Sequence, residues 1–131
     1  EIELDFHPNT DLVIKAIGDA KGGELFIHKC PSFKVTDLAK AMLPDCEFED
    51  VGIRPGEKLH EVMITKEDSR SAYEYDDYYI IYPDLEWWED VNIKEGGKKV
   101  EDRFYYASDN NPVWLSVEEI REALKDIDIV Y

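Results

Sequence analysis

The run Arg54-Pro55-Gly56-Glu57-Lys58-Leu59-His60-Glu61 dictates a backbone path and not only a composition. Pro55 presets φ for the second position of a tight turn, and Gly56 accepts the positive φ that a type II turn needs next. Such a turn brings Arg54 and Glu57 close together, so a planar charged fork and a carboxylate project from one small loop. An arginine takes phosphate oxygens two at a time, and a carboxylate accepts hydrogen bonds from hydroxyls. The pair therefore suits a ligand that carries both phosphate and sugar hydroxyls. It equally suits a salt bridge between Arg54 and Glu57 across the turn, and the local residues leave both readings open.

The surroundings of this turn read as strand, turn, helix. Glu47 to Ile53 alternates well enough for a strand, with Phe48, Val51 and Ile53 as its apolar members. Glu57 to about Met63 then reads as a short helix, a context in which a loop presents side chains and terminal amides to an anion. Upstream, Ile2, Leu4 and Phe6 alternate as a short strand ending at Pro8. Thr10 is expected to cap a helix running to about Lys21, which Gly22-Gly23 stops. Glu24-Leu25-Phe26-Ile27 reads as a strand, and Pro31 hinges the connection that follows. Thr36 is expected to cap a helix from Asp37 to Leu43, ended by Pro44.

Beyond residue 64 the tyrosine-rich run from Tyr73 to Tyr82 reads as one aromatic strand, ended by Pro83. Residues 84–103, with Trp87-Trp88, read as an extended loop. Ser116 and Glu119 form a capping box for a last helix running to about Lys125. Ile127, Ile129 and Val130 suit a terminal strand or tail. The expectation is a single domain over residues 1–131, in the mixed α/β (α+β) class. It has three or four short strands and three or four helices, and not a complete doubly wound sheet.

Charge decides which partners to expect. Thirty-one acidic residues against fifteen basic ones give −16, which argues against nucleic acid and against anionic membrane surfaces. An anionic ligand then needs a local basic cluster, because the global field is screened over about 10 Å. Arg54 with Lys58 supplies one. No apolar run approaches the length of a membrane span and no signal-peptide pattern opens the chain, although a chain that starts at Glu1 is uninformative about targeting; a cytoplasmic protein is expected. Cys30 and Cys46 belong to no CxxC and are expected to be reduced.

No catalytic set is legible. His60-Glu61 opens an HExxH pattern, but Ile64 stands where the second histidine belongs. The acidic runs lack EF-hand spacing, and no metal is expected. A nucleophile elbow, a P-loop, a dinucleotide-binding glycine fingerprint and a Tyr-x-x-x-Lys are all missing from the chain.

Three stretches follow one another in an informative order: Gly22-Gly23-Glu24-Leu25-Phe26, then Pro31-Ser32-Phe33-Lys34-Val35-Thr36-Asp37-Leu38-Ala39-Lys40-Ala41, then Gly52 to Ile64 through the turn. Tyr106-Ala107-Ser108-Asp109-Asn110-Asn111 and Trp114-Leu115-Ser116-Val117-Glu118-Glu119 complete the pattern. Over about residues 10–125 the chain resembles the C-terminal region of the polysaccharide-biosynthesis nucleotide-sugar epimerase/dehydratases. Within the extended short-chain dehydrogenase/reductase superfamily it is most similar to the inverting UDP-N-acetylglucosamine 4,6-dehydratases. The resemblance implies a substrate-binding domain of surface polysaccharide or glycan biosynthesis, without the Rossmann domain that carries NADP and the catalytic residues. It implies that Arg54 holds the pyrophosphate of a UDP-sugar and Glu57 the ribose hydroxyls, with Lys58 beside them. No cofactor is expected in this chain itself; its partners would be the UDP-sugar, the Rossmann domain and further copies in a homo-oligomer. The competing expectation is a non-enzymatic interaction domain that kept the fold and uses its Tyr/Trp surface to contact another protein.

Overall fold

The computed structural model describes residues 8–85 and 96–125. In chain order it contains α1 (Pro8–Asp19), β1 (Leu25–His28), α2 (Val35–Met42), β2 (Val62–Ile64), a 3-10 turn (Asp68–Arg70), β3 (Ala72–Glu74), β4 (Tyr78–Ile81), β5 (Lys98–Lys99), β6 (Tyr106–Ala107) and α3 (Val117–Ala123). β2 and β6 form a two-stranded sheet, and β1-β4-β3-β5 form a four-stranded one. The mixed α/β class is as expected: three short α-helices among the described residues, with antiparallel sheet. The chain divides into two compact units, one from Glu1–Lys29 with Val62–Tyr106 and one from Cys30–Glu61 with Ala107–Tyr131.

The first unit is built on the four-stranded sheet. Phe26 lies opposite Ile80 and Ile27 opposite Tyr79, while Tyr73 lies opposite both Ile80 and Lys99. Ile27, Ile64, Ala72, Tyr79, Ile81, Val100 and Tyr106 make its buried core, with Phe104 packed against it. Tyr79 is the hub, its ring 5.5 Å from Phe104 and 5.3 Å from Tyr106 between centroids.

The single strand expected over Tyr73 to Tyr82 is instead a hairpin, β3 and β4, with Asp76 and Asp77 at its bend. Aspartate favours turns over strands, and Tyr75 N–H closes the bend on the Tyr78 carbonyl at 2.9 Å. Lys29, just after β1, clamps it. Its Nζ donates to Glu74 Oε1 at 2.9 Å, to the Tyr75 carbonyl at 2.7 Å and to the Asp76 carbonyl at 3.1 Å. Those three bonds use every proton an ammonium has.

α1 begins at Pro8, so Thr10 is an interior residue and not its cap. A proline suits a first helical turn, where its missing N–H is no loss. The short strand expected to end at Pro8 falls outside the described residues except for Pro8 itself, which is helical. The Gly22-Gly23 stop is present, with φ of 126° and 91°. Glu24 secures it by accepting from the backbone N–H groups of Lys21 (2.8 Å) and Gly22 (2.7 Å). Burial pushes the Glu24 carboxyl up, but these donors outweigh it and leave it below the usual range.

In the second unit, α2 packs on α3. α2 starts at Val35 with Lys34 as N-cap and no side-chain capping bond, so Thr36 is not the cap. Its end agrees with the sequence: Met42 is the last helical residue, and Leu43, preceding Pro44, turns extended at φ −136°. α3 begins with the expected capping box, Glu119 N–H on Ser116 Oγ at 3.3 Å and Ser116 N–H on Glu119 Oε2 at 2.8 Å. Two other expectations fail here. Residues 47–53 form no strand, because Gly52 N–H binds Asp50 Oδ1 at 2.8 Å and Gly52 turns to φ 75°, which breaks the extended run. The segment from Glu57 to Met63 is not a helix but bends into β2, where β-branched Val62 and Ile64 suit a strand. Part of the loop expected over 84–103 is β5; Trp87-Trp88 and the expected tail at Ile127–Val130 lie outside the described residues.

Candidate functional site

The Pro55-Gly56 turn forms as its residues require. Gly56 sits at φ 88°, and Glu57 N–H donates to the Arg54 carbonyl at 3.1 Å, closing the four-residue turn. A Cβ at Gly56 would meet nothing within 4 Å, so glycine is needed for its backbone conformation and not for space. Glu57 folds back on the turn: its Oε2 accepts the Arg54 backbone N–H at 3.0 Å.

The salt bridge between the two side chains is marginal. Arg54 Nε stands 4.0 Å from Glu57 Oε1, with the side chains 80% and 52% exposed. An exposed pair at that distance is worth a few tenths of a kcal/mol, at most about 1. Glu57 is thus engaged mainly with backbone, while the Arg54 fork is presented to solvent. Lys58 is exposed on the next residue. The turn brings Arg54 and Glu57 together as expected and places Lys58 beside them in sequence. His60 and Glu61 are exposed too, and Glu61 is anchored by exchange with Ser108: Ser108 N–H to the Glu61 carbonyl at 2.9 Å, and Glu61 N–H to Ser108 Oγ at 3.1 Å.

Two concavities were not anticipated from the sequence. In the first unit a cavity of about 470 Å³ is lined by Asp11, Leu12, Lys15, His28, Lys29, Asp77 and Tyr78. Its lysines are committed: Lys29 to the hairpin, and Lys15 to Asp19 at 2.6 Å and to the face of Tyr78 at 5.7 Å. The hydrogen bond that Lys15 donates to Asp19 holds its ammonium above the ordinary range. This cavity is no anion cradle. In the second unit a shallower hollow of about 450 Å³ is lined by Lys34, Asp37, Trp114, Leu115 and Ser116. Trp114 is held there by a parallel bridge to Ser32, with Ser32 N–H on the Val113 carbonyl (2.9 Å) and Leu115 N–H on the Ser32 carbonyl (2.8 Å). Neither hollow had a local signal, since each joins residues far apart in the chain.

Among the described residues no group of three or more His, Cys, Asp or Glu side chains is placed to hold a metal. No helix among them is long and apolar enough to cross a membrane. Cys30 and Cys46 are not joined in a disulfide, and burial pushes the Cys30 thiol up.

The family described as "Polysaccharide biosynthesis protein" matches residues 4–83. The UDP-N-acetylglucosamine 4,6-dehydratase (inverting) of Campylobacter jejuni subsp. jejuni serotype O:2 is 47% identical over 109 residues, which cover 79% of this chain and 33% of that enzyme. The UDP-glucose 4-epimerase of Rickettsia rickettsii is 34% identical over 131 residues, covering 93% of this chain and 37% of that protein. Among solved structures, Pen from Bacillus thuringiensis superposes with a TM-score of 0.69 at 34% identity, over 88% of this chain and 35% of its own. The chain spans about a third of the length of the curated relatives it matches. On that match the chain belongs to the polysaccharide biosynthesis protein family, among the nucleotide-sugar epimerases and dehydratases.

Proposed function

We propose that this chain is the UDP-sugar-binding, C-terminal part of a nucleotide-sugar 4,6-dehydratase or epimerase of the UDP-GlcNAc type, acting in bacterial surface polysaccharide or glycan biosynthesis. The observation that carries the reading is the closed Pro55-Gly56 turn with the Arg54 fork turned to solvent. In this reading the Arg54 guanidinium takes two oxygens of the pyrophosphate, and Lys58 adds a second positive charge. Glu57 Oε1, left over from the backbone bond made by Oε2, accepts from the ribose hydroxyls. Because the turn is already closed, binding orders few backbone torsions and wastes little affinity.

The chain alone is proposed to be catalytically incomplete. NADP and the residues that move hydride and proton belong, in this reading, to the two thirds of the relatives' length that this chain does not span. The whole enzyme would oxidise C4 of the hexose, eliminate water across C5–C6 and return the hydride. We place it in the cytoplasm, as a homo-oligomer.

Calorimetric titration of UDP-GlcNAc into the wild type and Arg54→Ala tests the site. Losing a charged hydrogen-bond pair costs about 1.5–3 kcal/mol, roughly 10–100-fold in Kd. Arg54→Lys, which keeps charge but not the fork, is expected between the two. Equal affinity in wild type and Arg54→Ala removes Arg54 from the site. A second reading, a non-enzymatic interaction domain, draws on the apolar residues that α1 exposes; absence of UDP-GlcNAc binding by any variant favours it.

A further inference from the structure

The hollow at the start of α2 brings together an aromatic face, a carboxylate and an ammonium, none of them employed elsewhere. It measures about 450 Å³ and is lined by Lys34, Asp37, Trp114, Leu115 and Ser116. Small-molecule pockets span about 300–1,000 Å³. Trp114 is 44% exposed, and its ring stacks on no other ring among the described residues. Its backbone is fixed. Besides the bridge to Ser32, buried Asn111 accepts the Val113 N–H at 3.0 Å and donates to the Cys30 carbonyl. The Lys34 ammonium and the half-buried Asp37 carboxylate have no hydrogen-bond or ion-pair partner among the described residues, and they do not pair with each other. Polar side chains withdrawn from water normally find a partner within the protein. The Ser116 hydroxyl has one: it is committed to Glu119 in the capping box and forms only part of the wall.

We propose that this hollow binds a hexopyranose ring without its nucleotide, at a site separate from the Arg54 turn, which contributes none of the five lining residues. An equatorially substituted pyranose has two unlike surfaces. Its faces carry axial C–H groups and are apolar, while its rim carries hydroxyls. A tryptophan ring offers a broad flat apolar surface for such a face. A carboxylate accepts from two neighbouring hydroxyls at once, and an ammonium donates to hydroxyl or ring oxygens. The charges of Lys34 and Asp37 cancel, so nothing in the hollow favours an ion, and the −16 of the chain opposes an anion in particular. A neutral polyol meets no such opposition. Because the backbone at Trp114 is held before any ligand arrives, binding orders little besides the Lys34 side chain.

The test is an NMR titration of the 131-residue chain with methyl β-D-glucopyranoside, a probe that has neither base nor phosphate. The backbone amides of Leu115 and Ser116 are expected to shift with the probe and to report its Kd. Saturation of the protein's aromatic protons is expected to pass to one face of the sugar, either the C1, C3 and C5 protons or the C2 and C4 protons. Trp114→Ala is expected to weaken binding about tenfold, through loss of the stacked face. Asp37→Asn, which keeps the shape and loses the charge, is expected to weaken it about fivefold. Lys34→Met at its exposed position is expected to act in the same direction, which keeps the test decisive if Trp114→Ala does not fold. Arg54→Ala is expected to leave glucoside binding unchanged. Absence of binding, equal saturation of both faces, or wild-type affinity in Asp37→Asn and Lys34→Met overturns the proposal. A loss of glucoside binding in Arg54→Ala merges the hollow with the nucleotide-sugar site and overturns it as well. Uridine or free phenylalanine shifting the same amides more tightly than the glucoside would assign the Trp114 face to a planar ring, with the same result.

Discussion

A single glycine decides the shape of the candidate site. Gly56 holds φ 88° with open space around it, so Gly56→Ala would clash with nothing and still be strained. An alanine held at positive φ costs about 1–2 kcal/mol. The expected outcome is a lower urea midpoint, and weaker UDP-GlcNAc binding if the turn opens to relieve the strain. This position was legible because Pro-Gly specifies its turn through neighbours alone. Other residues gain their roles from distant partners, as Gly97 does: a Cβ there would stand 2.5 Å from the Tyr75 ring, and nothing beside Gly97 announces that. Tyr79 belongs with these. Burial, then the Glu74 carboxylate and Tyr106, push its hydroxyl up to about 12. An unfolded tyrosine titrates near 10, so the folded state holds this proton more tightly. The stability it contributes is whole below about pH 10 and is lost as pH rises towards about 12. Urea midpoints measured from pH 8 to 12 are expected to fall over that window, and to fall less in Tyr79→Phe. A residual fall in the variant is expected from Tyr82, whose hydroxyl burial and Tyr75 also push up.

Some elements bounded by local chemistry were readable, but the caps expected at Thr10 and Thr36 and the strand expected over residues 47–53 were misread although what decides them is local. The α3 capping box and the halt of α2 before Pro44 were read correctly because each is settled within four residues. The β3–β4 hairpin was missed although Asp76-Asp77 is a local turn signal, and the Lys29 clamp that secures the bend, more than forty residues away in sequence, has no local trace. Glu57 to Met63 was misread for a related reason: its helical spacing is overridden by β2 pairing with β6. The clamp makes a prediction for the hairpin. Lys29→Met keeps the apolar stem but leaves two bend carbonyls and the Glu74 carboxylate without the ammonium. Hydrogen bonds to a charged group contribute about 1.5–3 kcal/mol, less here because the lysine side chain is 27% exposed. The amides of Tyr75 to Tyr78 are expected to exchange at least tenfold faster while those of α3 keep their rates. Uniform acceleration across both would mean that Lys29 supports global stability and not the hairpin in particular.

At the scale of the whole molecule the dominant quantity is −16. Four ion pairs are resolved among the described residues, Lys15–Asp19, Lys29–Glu74, Arg54–Glu57 and Lys125–Glu122. Three of them have both side chains more than 40% exposed, where such pairs contribute about 0–1 kcal/mol and salt removes most of that. Against them stands the mutual repulsion of sixteen uncompensated negative charges, which also weakens as the screening length contracts from about 10 Å at 0.1 M salt to about 3 Å at 1 M. The repulsion outweighs the pairs, so the thermal midpoint is expected to rise between 0.02 and roughly 0.5 M sodium chloride. Under the proposed reading the same screening would act on a nucleotide sugar approaching the Arg54 turn: its long-range repulsion from the protein would be relieved first, while a contact with the guanidinium, within a few ångströms, would be screened less. UDP-GlcNAc affinity is therefore expected to depend on salt far more weakly than the multi-charge contacts of a basic protein do. A midpoint that falls with salt would show that the surface pairs, and not the net charge, set the electrostatics of this chain. A steep loss of ligand affinity over the same range would show that several cations hold the phosphates, and the site would then have to extend beyond Arg54 and Lys58.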